Sequence, residues 1–525
     1  MKKNFFICLL ILFCFKSSAQ TEKLIYHDIK TDSQGNILPW YNDEPGKAWS
    51  HVIQLVWNFW DTMRTDINGL PYYMNHQVWS PGVNDPRGLG GDQFNMALSS
   101  WRLLYAYTGN ERIKENMKFI ADYYLTHGLS ASNNKWADVP YPYNTLVYSG
   151  VYDGDMILGK NYLQPDKAGS FGIELLHLYK MTNKEWYPNV SDDAYLNAAI
   201  KIANTLAMHT KDGDENNSPM PFKVNAVTGE TGNLKNNNRN EKSVGLSSYT
   251  TNWSGTLELF LELQQLHAGK EYLYKQAFNK ILAWMKKYPL QNNKWGPFFE
   301  DIPGWSDTQI NAITFAQFMM NHQEYFPSWK TGVRKIFDWV YQKLKNEKWN
   351  RYGVTVVNEQ TAYLQPGNSH TSREASAELQ YMSLTGDTFH YDNAVRQLNW
   401  ATYMVDNDGK NRYPNDANWL TDGYGDYVRH FLRAMAAMPR LAPSDEDHLL
   451  SSSSVIQSVS YNRDIEYNVF DKHGTEVFRL QQKPANVLFN DKPAANSESY
   501  AWKALEKGGL LTITRTQSGN VKIIK

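Results

Sequence analysis

The stretch YAYTGNERIKENM, residues 105–117, places a Gly-Asn pair between two segments in which apolar residues recur at helical spacing. A glycine at this point is typical of a helix end, and an aromatic-rich helix follows at once. The same kind of junction recurs at 179–190, 266–277, 320–332 and 383–394. These copies of one helical-hairpin junction predict a repeated α/α architecture.

Helical periodicity from Ala48 to Met438 predicts twelve helices. They are expected at 47–66, 92–108, 111–127, 167–181, 192–209, 253–267, 271–288, 307–324, 328–345, 372–384, 389–404 and 427–438. Six hairpins close a ring if the last helix pairs with the first. The predicted fold class is therefore mainly α, an (α/α)6 toroid of helical hairpins, followed by a small C-terminal β-sandwich.

The turns within hairpins are short, whereas the segments between hairpins are long. The long segments are 68–91, 128–166, 211–252, 289–306, 349–371 and 405–426. Each leaves an outer helix and enters an inner one, so all are expected on one face, where a functional cleft belongs. The N-termini of the inner helices point to the same face and favour an acidic ligand.

Four regions are predicted along the chain. Residues 1–19 are expected to be a signal peptide, because two lysines, an apolar run and a Ser-x-Ala pattern precede the cut. The toroid is expected at 20–443, a polar linker at 444–454, and the β-sandwich domain at 455–525, where short runs alternate in polarity. The protein is therefore expected to be exported and to be secreted or periplasmic.

Composition narrows the class of function. Both cysteines, Cys8 and Cys14, lie in the predicted signal peptide, which excludes thiol and disulfide chemistry in the mature chain. A formal net charge of −1 and the lack of a nucleic-acid-binding motif argue against a nucleic-acid partner. No later stretch approaches the roughly 20 apolar residues of a membrane-spanning helix, and a monomer is expected. Aromatic residues make up 14% of the chain, which indicates either sugar-stacking platforms or an aromatic core.

A second stretch, QPGNSHTSREASAEL at 365–379, gathers polar side chains at a predicted helix start. A helix N-terminus usually needs only one capping Ser or Thr. His370 could simply hydrogen-bond the backbone, and Arg373 with Glu374 could be a solvated pair of little energetic value. Otherwise these polar groups indicate a binding or catalytic role.

The predicted toroid with a C-terminal β domain resembles secreted bacterial polysaccharide-degrading enzymes, most of all uronate polysaccharide lyases of the ulvan lyase type. The resemblance implies an Asn and a His near an inner-helix start, and a Tyr about one hairpin later. Asn368, His370 and then Tyr424 or Tyr427 match that arrangement, although Ser369 separates the Asn from the His.

An adjacent Asn-His pair lies ahead of another predicted inner helix. His76 follows Asn75, and Tyr141 and Tyr143 lie one hairpin further on. The sequence leaves open which of the two His-Tyr sets is catalytic.

β-Elimination on a uronate chain removes a proton beside a carboxylate, whose charge must be neutralised so that the enolate forms. A neutral His or a Tyr takes the proton, and a Tyr can return one to the leaving oxygen. In this interpretation Arg373 or Asn252 holds the carboxylate, His370 is the base, and Tyr424 or Tyr427 is the acid or the alternative base. The predicted function is a secreted lyase cutting an anionic, uronic-acid-containing polysaccharide endolytically. The resemblance implies an ulvan-like sulfated polymer as the glycan, with alginate, glucuronan and glycosaminoglycans as alternatives.

Polar and aromatic residues near the predicted inner-helix starts are expected to contact substrate. They are Asp92, Gln93, Tyr143, Asn144, Trp253 and Asn368. An acidic residue at a helix start stabilises the helix dipole whether or not it touches substrate. The tyrosines of the loop could equally serve only to rigidify it.

Two other classes of function stay open. A glycoside hydrolase of the uronyl hydrolase or glucuronidase type would use two carboxylates separated by roughly 5–9.5 Å. The candidate pairs are Asp153 with Asp155, Asp301 with Asp307, and Asp92 with Asp426. A non-catalytic glycan-binding protein would show aromatic platforms without converging acid, base and charge-neutralising groups.

Metal sites are weakly indicated. The segment 212–218, DGDENNS, offers oxygens at alternate positions as calcium loops do, and the segment that begins at Asp406 is similar. No HExxH motif or His cluster predicts a catalytic zinc. No cofactor is therefore predicted, apart from a calcium ion of structural role.

Overall fold

A computed structural model describes residues 22–74, 90–146, 148–183, 193–233, 247–298, 305–412, 422–493 and 499–525. Within these ranges the side chains at positions 92 and 422–424 are not described. The predicted signal peptide at 1–19 and His76 therefore lie outside the described residues.

Twelve long helices occur in the described part of the chain, as predicted. They are α1 (Pro45–Asp61), α2 (Gly91–Thr108), α3 (Glu111–His127), α4 (Pro165–Thr182), α5 (Asp193–His209), α6 (Ser254–Gln265), α7 (Glu271–Lys287), α8 (Gln309–Asn321), α9 (Trp329–Leu344), α10 (Asn368–Thr385), α11 (Tyr391–Thr402) and α12 (Asp422–Ala437). A four-residue helix, Pro289–Asn292, follows α7.

The even-numbered helices form a closed inner ring, in which each contacts the next and α12 contacts α2. The odd-numbered helices lie outside this ring, and α1 packs against α12. The long connecting segments all lead from an outer helix into an inner one. The (α/α)6 toroid and its closure by the first and last helices are thereby confirmed. The face that carries the N-termini of the inner helices is called the mouth below.

The seam of the toroid, where its first helix meets its last ones, is reinforced by two tryptophans, one ahead of α1 and one on it. The indole Nε1 of Trp40 donates to the carbonyl oxygen of Thr402 at 2.9 Å. Trp49 on α1 donates to Asn399 Oδ1 on α11 at 3.1 Å. Both contacts join the beginning of the toroid to its last hairpin.

Outer and inner helices differ in how they are buried. The outer helix α9 buries Trp329, Val333, Phe337 and Val340 along one face, the spacing of an amphipathic helix. The inner helix α4 is buried over almost its whole circumference. A charged side chain on an inner helix must therefore find a partner or face the axis of the ring.

Two glycines meet backbone requirements of this packing. Gly109 ends α2 in the left-handed conformation, with φ of 69°, and its amide donates to the Tyr105 carbonyl. Gly169 on α4 lies against α6, where an added Cβ would come within 1.9 Å of Thr256 Oγ1. The predicted hairpin turn and the close approach of two inner helices both depend on the missing side chain.

Two helix starts differ from the predicted ones. Helix α10 begins at Asn368 rather than 372, because Gly367 has an extended backbone and its carbonyl accepts from Thr371 N at 3.0 Å. His370 therefore lies in the first helical turn, not in a preceding loop. Helix α12 begins at Asp422 rather than 427, so Asp426 lies inside the helix rather than at its start.

Short strands join the loops of the mouth and the N-terminal segment. They are β1 (Lys23–Leu24), β2 (His27–Asp28), β3 (Gly154–Asp155), β4 (Gly159–Lys160), β5 (Tyr162–Leu163), β6 (Val224–Asn225), β7 (Lys345–Asn346), β8 (Val356–Gln360) and β9 (Tyr363–Pro366). The β5–β6 pair links the loop before α4 to the loop before α6.

The C-terminal strands form two antiparallel sheets, as predicted. They are β10 (His448–Ser452), β11 (Ile456–Tyr461), β12 (Ile465–Val469), β13 (Gly474–Leu480), β14 (Asn486–Phe489), β15 (Lys492–Pro493), β16 (Ser499–Ala504), β17 (Gly509–Arg515) and β18 (Gly519–Ile524). One sheet has the order β10-β13-β17-β16 and the other β11-β12-β18-β14-β15. Alternate residues are buried, as Ile465, Tyr467 and Val469 are in β12.

The sandwich packs against the end of the toroid opposite the mouth. The hydroxyl of Tyr461 donates to the Ala106 carbonyl at 2.5 Å, near the C-terminus of α2. Lys180 near the end of α4 lies 2.5 Å from Glu262 and 3.1 Å from Asp471. The segment 444–454, predicted to be a linker, contains strand β10, whose Leu449 and Leu450 are buried.

Most described tryptophans belong to the core rather than to the surface. Trp49, Trp57, Trp60, Trp101, Trp253, Trp295 and Trp400 are fully buried. Trp305 is 47% exposed, and no other described tryptophan is as exposed. Among the described helices, none combines the length and the apolar character that crossing a bilayer requires.

Helix α10 also buries two glutamates one turn apart, Glu374 and Glu378. Gln397 Nε2 donates to Glu374 Oε2 at 2.6 Å, and His390 lies 3.9 Å from Glu378. Burial raises the pKa of Glu374 to about 7, although the hydrogen bond from Gln397 opposes the shift. Burial and the neighbouring Glu374 raise the pKa of Glu378 well above its usual range. The stability of the folded protein should therefore depend on whether these two glutamates are protonated.

The substitution Glu374→Gln should stabilise the protein above pH 7 by about 3 kcal/mol, because the folded state holds a proton that the unfolded state releases. The native protein loses stability as the pH rises from the ordinary glutamate pKa to the raised pKa of Glu374. A glutamine at this position removes the loss and can still accept the hydrogen bond from Gln397. Urea unfolding at pH 8 and pH 4.5 measures the effect, with little gain expected at the lower pH. An equal gain at both pH values would contradict the argument, and the exposed Glu506→Gln is the control.

Candidate active site

A cavity of about 530 Å³ runs along the axis of the toroid. It extends from the first turns of the inner helices at the mouth to their last turns. Every inner helix contributes to its lining, through Asn95, Ile173, Glu258, Gln317, Gln380 and Arg433. This axial cavity is large enough for a small ligand.

The charged side chains of the axial cavity are separated by sign. Arginines lie on α2 and α12, and glutamates lie on α4 and α6. The arginines are Arg102, Arg429 and Arg433, and the glutamates are Glu174, Glu258 and Glu262. A ligand in the cavity would therefore meet cations on one side and carboxylates on the other.

Glu174 connects Arg102 to a histidine of the cavity wall. Its Oε2 lies 3.3 Å from Arg102 Nε and 3.1 Å from His177 Nδ1. Burial disfavours the charge, yet Arg102 and His177 outweigh it and lower the pKa of Glu174 to about 2. An ionised carboxylate at this position orients the imidazole, and a proton on Nδ1 leaves Nε2 as the basic nitrogen. His177 therefore has the arrangement of a general base.

Arg433 lies deeper in the cavity and has a neutral partner. Its Nη1 donates to Gln317 Oε1 at 3.3 Å, and no described carboxylate lies within ion-pair distance of it. Burial, together with Arg429 nearby, lowers the pKa of Arg433 to about 9. An anionic group bound in the cavity would supply the counter-charge that Arg433 lacks.

A buried ion cluster joins α10 to α12 beside the cavity. The carboxylate of Asp426 pairs with the guanidinium groups of both Arg373 and Arg429, and His430 Nε2 lies 3.2 Å from it. Although burial opposes ionisation, the two arginines hold the pKa of Asp426 well below its usual range. Burial lowers the pKa of His430 to about 3, so its ring is neutral. Arg429 extends this cluster into the axial cavity.

The polar stretch at 365–379 takes part in this cluster. Arg373 is fully buried against Asp426 and Glu374 is buried against Gln397, so the interpretation of the two as a solvated pair is wrong. His370 is fully buried, and burial with the adjacent Arg373 lowers its pKa to about 3. Neither His370 nor Arg373 lines the axial cavity.

Two other residues predicted to act on substrate are engaged inside the protein. The hydroxyl of Tyr427 is buried and donates to the Ala401 carbonyl at 2.8 Å, which contradicts an acid role at an open site. Asn368 is buried, and its Nδ2 donates to Asn411 Oδ1 at 2.5 Å. The second tyrosine, Tyr424, has a side chain outside the described residues.

Two predicted site residues at the start of α6, Asn252 and Trp253, lie in different environments. Asn252 lines the axial cavity, and its Nδ2 donates to Asp166 Oδ2 at 3.2 Å. Trp253 is fully buried, with its Nε1 donating to the Thr250 carbonyl at 2.8 Å, so it cannot offer a face to a sugar ring. Of the residues predicted as catalytic and described with their side chains, only Asn252 borders the cavity.

The remaining predicted binding residues do not reach the cavity wall. Tyr143 and Asn144 are buried in the loop before α4, and Tyr143 N donates to the Gly154 carbonyl at 2.9 Å. Gln93 is half-buried in the first turn of α2. The side chain of Asp92 lies outside the described residues.

The described carboxylates predicted for a hydrolase are held by contacts within and between the loops of the mouth. Asp153 accepts from Thr145 N at 2.9 Å, and Asp155 forms a fully buried pair with Lys223 at 2.6 Å. Asp307 accepts from the amides of Trp295 and Gly296, each at 2.8 Å. Asp301 is outside the described residues, and Asp426 is committed to its two arginines, so these pairs are not supported as catalytic groups.

The calcium sites stay predictions. In the segment 212–218, Asp214 Oδ1 accepts from the amides of Asn216 and Asn217 at 2.7 and 2.9 Å. Asp406 Oδ1 accepts from Asn407 N at 2.7 Å. Among the described residues, no group of three or more metal-binding side chains comes together.

Sequence reasoning missed the charged lining of the axial cavity. Arg102, Glu174, His177, Arg429 and Arg433 lie inside helices that read as ordinary apolar repeats. One local signal existed, because Glu174 and His177 interrupt the apolar run SFGIELLHL at a spacing of three residues. The pairing of Arg102 with Glu174 could not be read from the sequence, since 72 residues separate them.

No protein-family model matches the chain, and no curated protein matches it. The chain is similar to the solved structure of a cellobiose 2-epimerase from Spirochaeta thermophila, with a TM-score of 0.55 and 14% identity over 76% of this chain and 97% of that chain. It is also similar to a sugar epimerase from a ruminal bacterium, with a TM-score of 0.51 and 13% identity over 73% of this chain and 98% of that chain. At such low identity these similarities support the toroid fold alone.

The substitution Asp426→Asn should destabilise the protein by about 3–5 kcal/mol, because it removes the buried carboxylate that Arg373 and Arg429 share. Urea unfolding measures the loss. The matched control is Asp61→Asn, which breaks the exposed pair with Arg112 at 2.8 Å and should change stability far less. Equal effects of the two substitutions would mean that the buried cluster is not a stabilising element.

Proposed function

We propose that this protein is a carbohydrate-active enzyme that binds an acidic saccharide in the axial cavity and cleaves it by β-elimination. The observation that carries the proposal is that two features share one cavity. One is a histidine oriented by an ionised glutamate, and the other is an arginine that has no carboxylate partner among the described residues. His177 with Glu174 supplies the first part, and Arg433 supplies the second.

These groups fit the requirements of elimination. A base removes the proton from the carbon beside the carboxylate, a carbon–carbon double bond forms, and the glycosidic oxygen leaves and gains a proton. In the proposal, His177 Nε2 takes the proton and Arg433 neutralises the charge that develops on the uronate carboxylate. Asn252 and Arg429 would contact the sugar nearer the mouth, since both line that part of the cavity.

The fold gives general support to a saccharide substrate. The two similar solved structures are described as a cellobiose 2-epimerase and a sugar epimerase. Their reactions are not carried over to this chain. The polymer class, with ulvan-like glycans among the candidates, and export through a signal peptide are part of the same proposal.

Hydrolysis is the second candidate, favoured by the glutamates of the cavity. Glu174 and Glu258 both line it, and Glu258 Oε1 lies 2.8 Å from His322 Nε2. A glycosidase needs one protonated carboxyl group as an acid. Glu174 fits that role poorly, because its low pKa keeps it ionised at neutral pH. Elimination therefore ranks first.

The substitution His177→Gln should lower the rate of elimination by about 100-fold or more, because it removes the proposed base. Ultraviolet absorbance of the new double bond, followed with a panel of uronate polysaccharides, measures the rate. His370→Ala is compared directly, and His267→Gln, whose ring is 82% exposed, is the control.

The outcomes separate the alternatives. If the His177 variant keeps full activity and a folded His370 variant loses it, the base is His370 at the start of α10. New reducing ends without absorbance would identify a hydrolase. Absence of both products with every uronate polymer would overturn the proposed reaction.

A further inference from the structure

Trp305 is an exposed tryptophan in the segment that enters α8 at the mouth. Its side chain is 47% exposed, whereas most other described tryptophans are in the core. The same connecting segment contributes Phe298 to the wall of the axial cavity. Trp305 therefore belongs to a connecting segment of the mouth that also borders the cavity.

The indole is held in place by its neighbours. Its Nε1 donates to Asp307 Oδ2 at 2.9 Å, and the same carboxylate accepts from two backbone amides. The ring of Tyr249 stands edge-on, with the centroids 5.2 Å apart. A fixed aromatic face loses little conformational freedom when a ligand stacks on it.

A cation lies beside this aromatic pair. Lys294 Nζ is 4.7 Å from the ring centroids of both Tyr249 and Trp305. Its hydrogen bonds go to neutral oxygens, the Glu215 carbonyl at 3.1 Å and Asn216 Oδ1 at 3.3 Å. No described carboxylate forms an ion pair with it, so its charge is available to an anionic ligand.

We propose that Trp305 and Lys294 form a saccharide-binding subsite outside the axial cavity, which takes an acidic sugar residue of the polymer. The apolar C–H face of the sugar ring stacks on the indole, and the ammonium group pairs with the carboxylate or another anionic substituent. The acidic class of the sugar rests on the proposed function as well as on the charge of Lys294. The sequence offered Trp253 for this role, yet that side chain is buried.

Affinity electrophoresis in gels that contain polygalacturonate or alginate tests the subsite without requiring turnover. Trp305→Ala should raise the apparent dissociation constant roughly fivefold. Trp305→Phe should keep most of the affinity because it keeps an aromatic ring. Lys294→Gln should weaken binding and reduce its dependence on salt. Tyr272→Ala is the matched control, since Tyr272 is an exposed aromatic residue, 75% accessible, on the outer helix α7.

Several results would overturn the subsite. Wild-type protein that neither polymer retards would exclude an acidic saccharide as the ligand. Unchanged retardation of a folded Trp305→Ala variant would exclude the indole as the platform. Retardation that persists in a protein without elimination activity would retain the subsite and reject only the reaction, so the two proposals fail separately.

Discussion

Closure of the inner ring between α12 and α2 is the constraint from which the other features follow. A closed ring leaves its helices no face towards bulk water, so each inner helix is packed against two neighbours and an outer helix. Polar groups on such helices either pair across helices or line the axis, because an unpaired buried charge is costly. Asp426 illustrates the first solution, with its two arginines, and Arg433 the second. The charged groups of the described inner helices therefore lie either in pairs between helices or along the axis.

The architecture could be predicted because it depends on local signals. The junction at Gly109 and its four equivalents mark five of the six helix pairs, and the periodicity fixes the helices within a few residues. The site could not be predicted to the same degree, because it depends on which side of a fully buried helix a residue occupies. His370 and His177 both lie on inner helices, yet only His177 lines the cavity. In the sequence Arg373 has the features of a substrate-binding residue, because its buried partner Asp426 lies 53 positions further on.

Aromatic composition raised a question that only the environment of each ring answers. Trp253 and Trp305 both stand near inner-helix starts and both have a hydrogen-bonded indole N–H. The partner of Trp253 is the carbonyl three residues earlier, which folds the ring into its own turn. The partner of Trp305 is the side chain of Asp307, which is itself tied to two amides, so the ring is fixed while part of its surface stays accessible. Of these two tryptophans, the one folded into its own turn is buried and the one held by Asp307 keeps an accessible face.

The seam of the toroid has a consequence for how the chain is made. Trp40 and Thr402, which are hydrogen-bonded across it, are 362 residues apart. At a synthesis rate of about 5–20 residues per second, the first helix waits roughly 20 to 70 s for its partners to appear. During that time the part of its apolar face that packs on the last helices, including Trp49, is uncovered. The contacts across the seam thus join residues far apart in sequence and are the last to become available during synthesis. Until its last hairpin has been made, a nascent chain of this protein cannot close the ring.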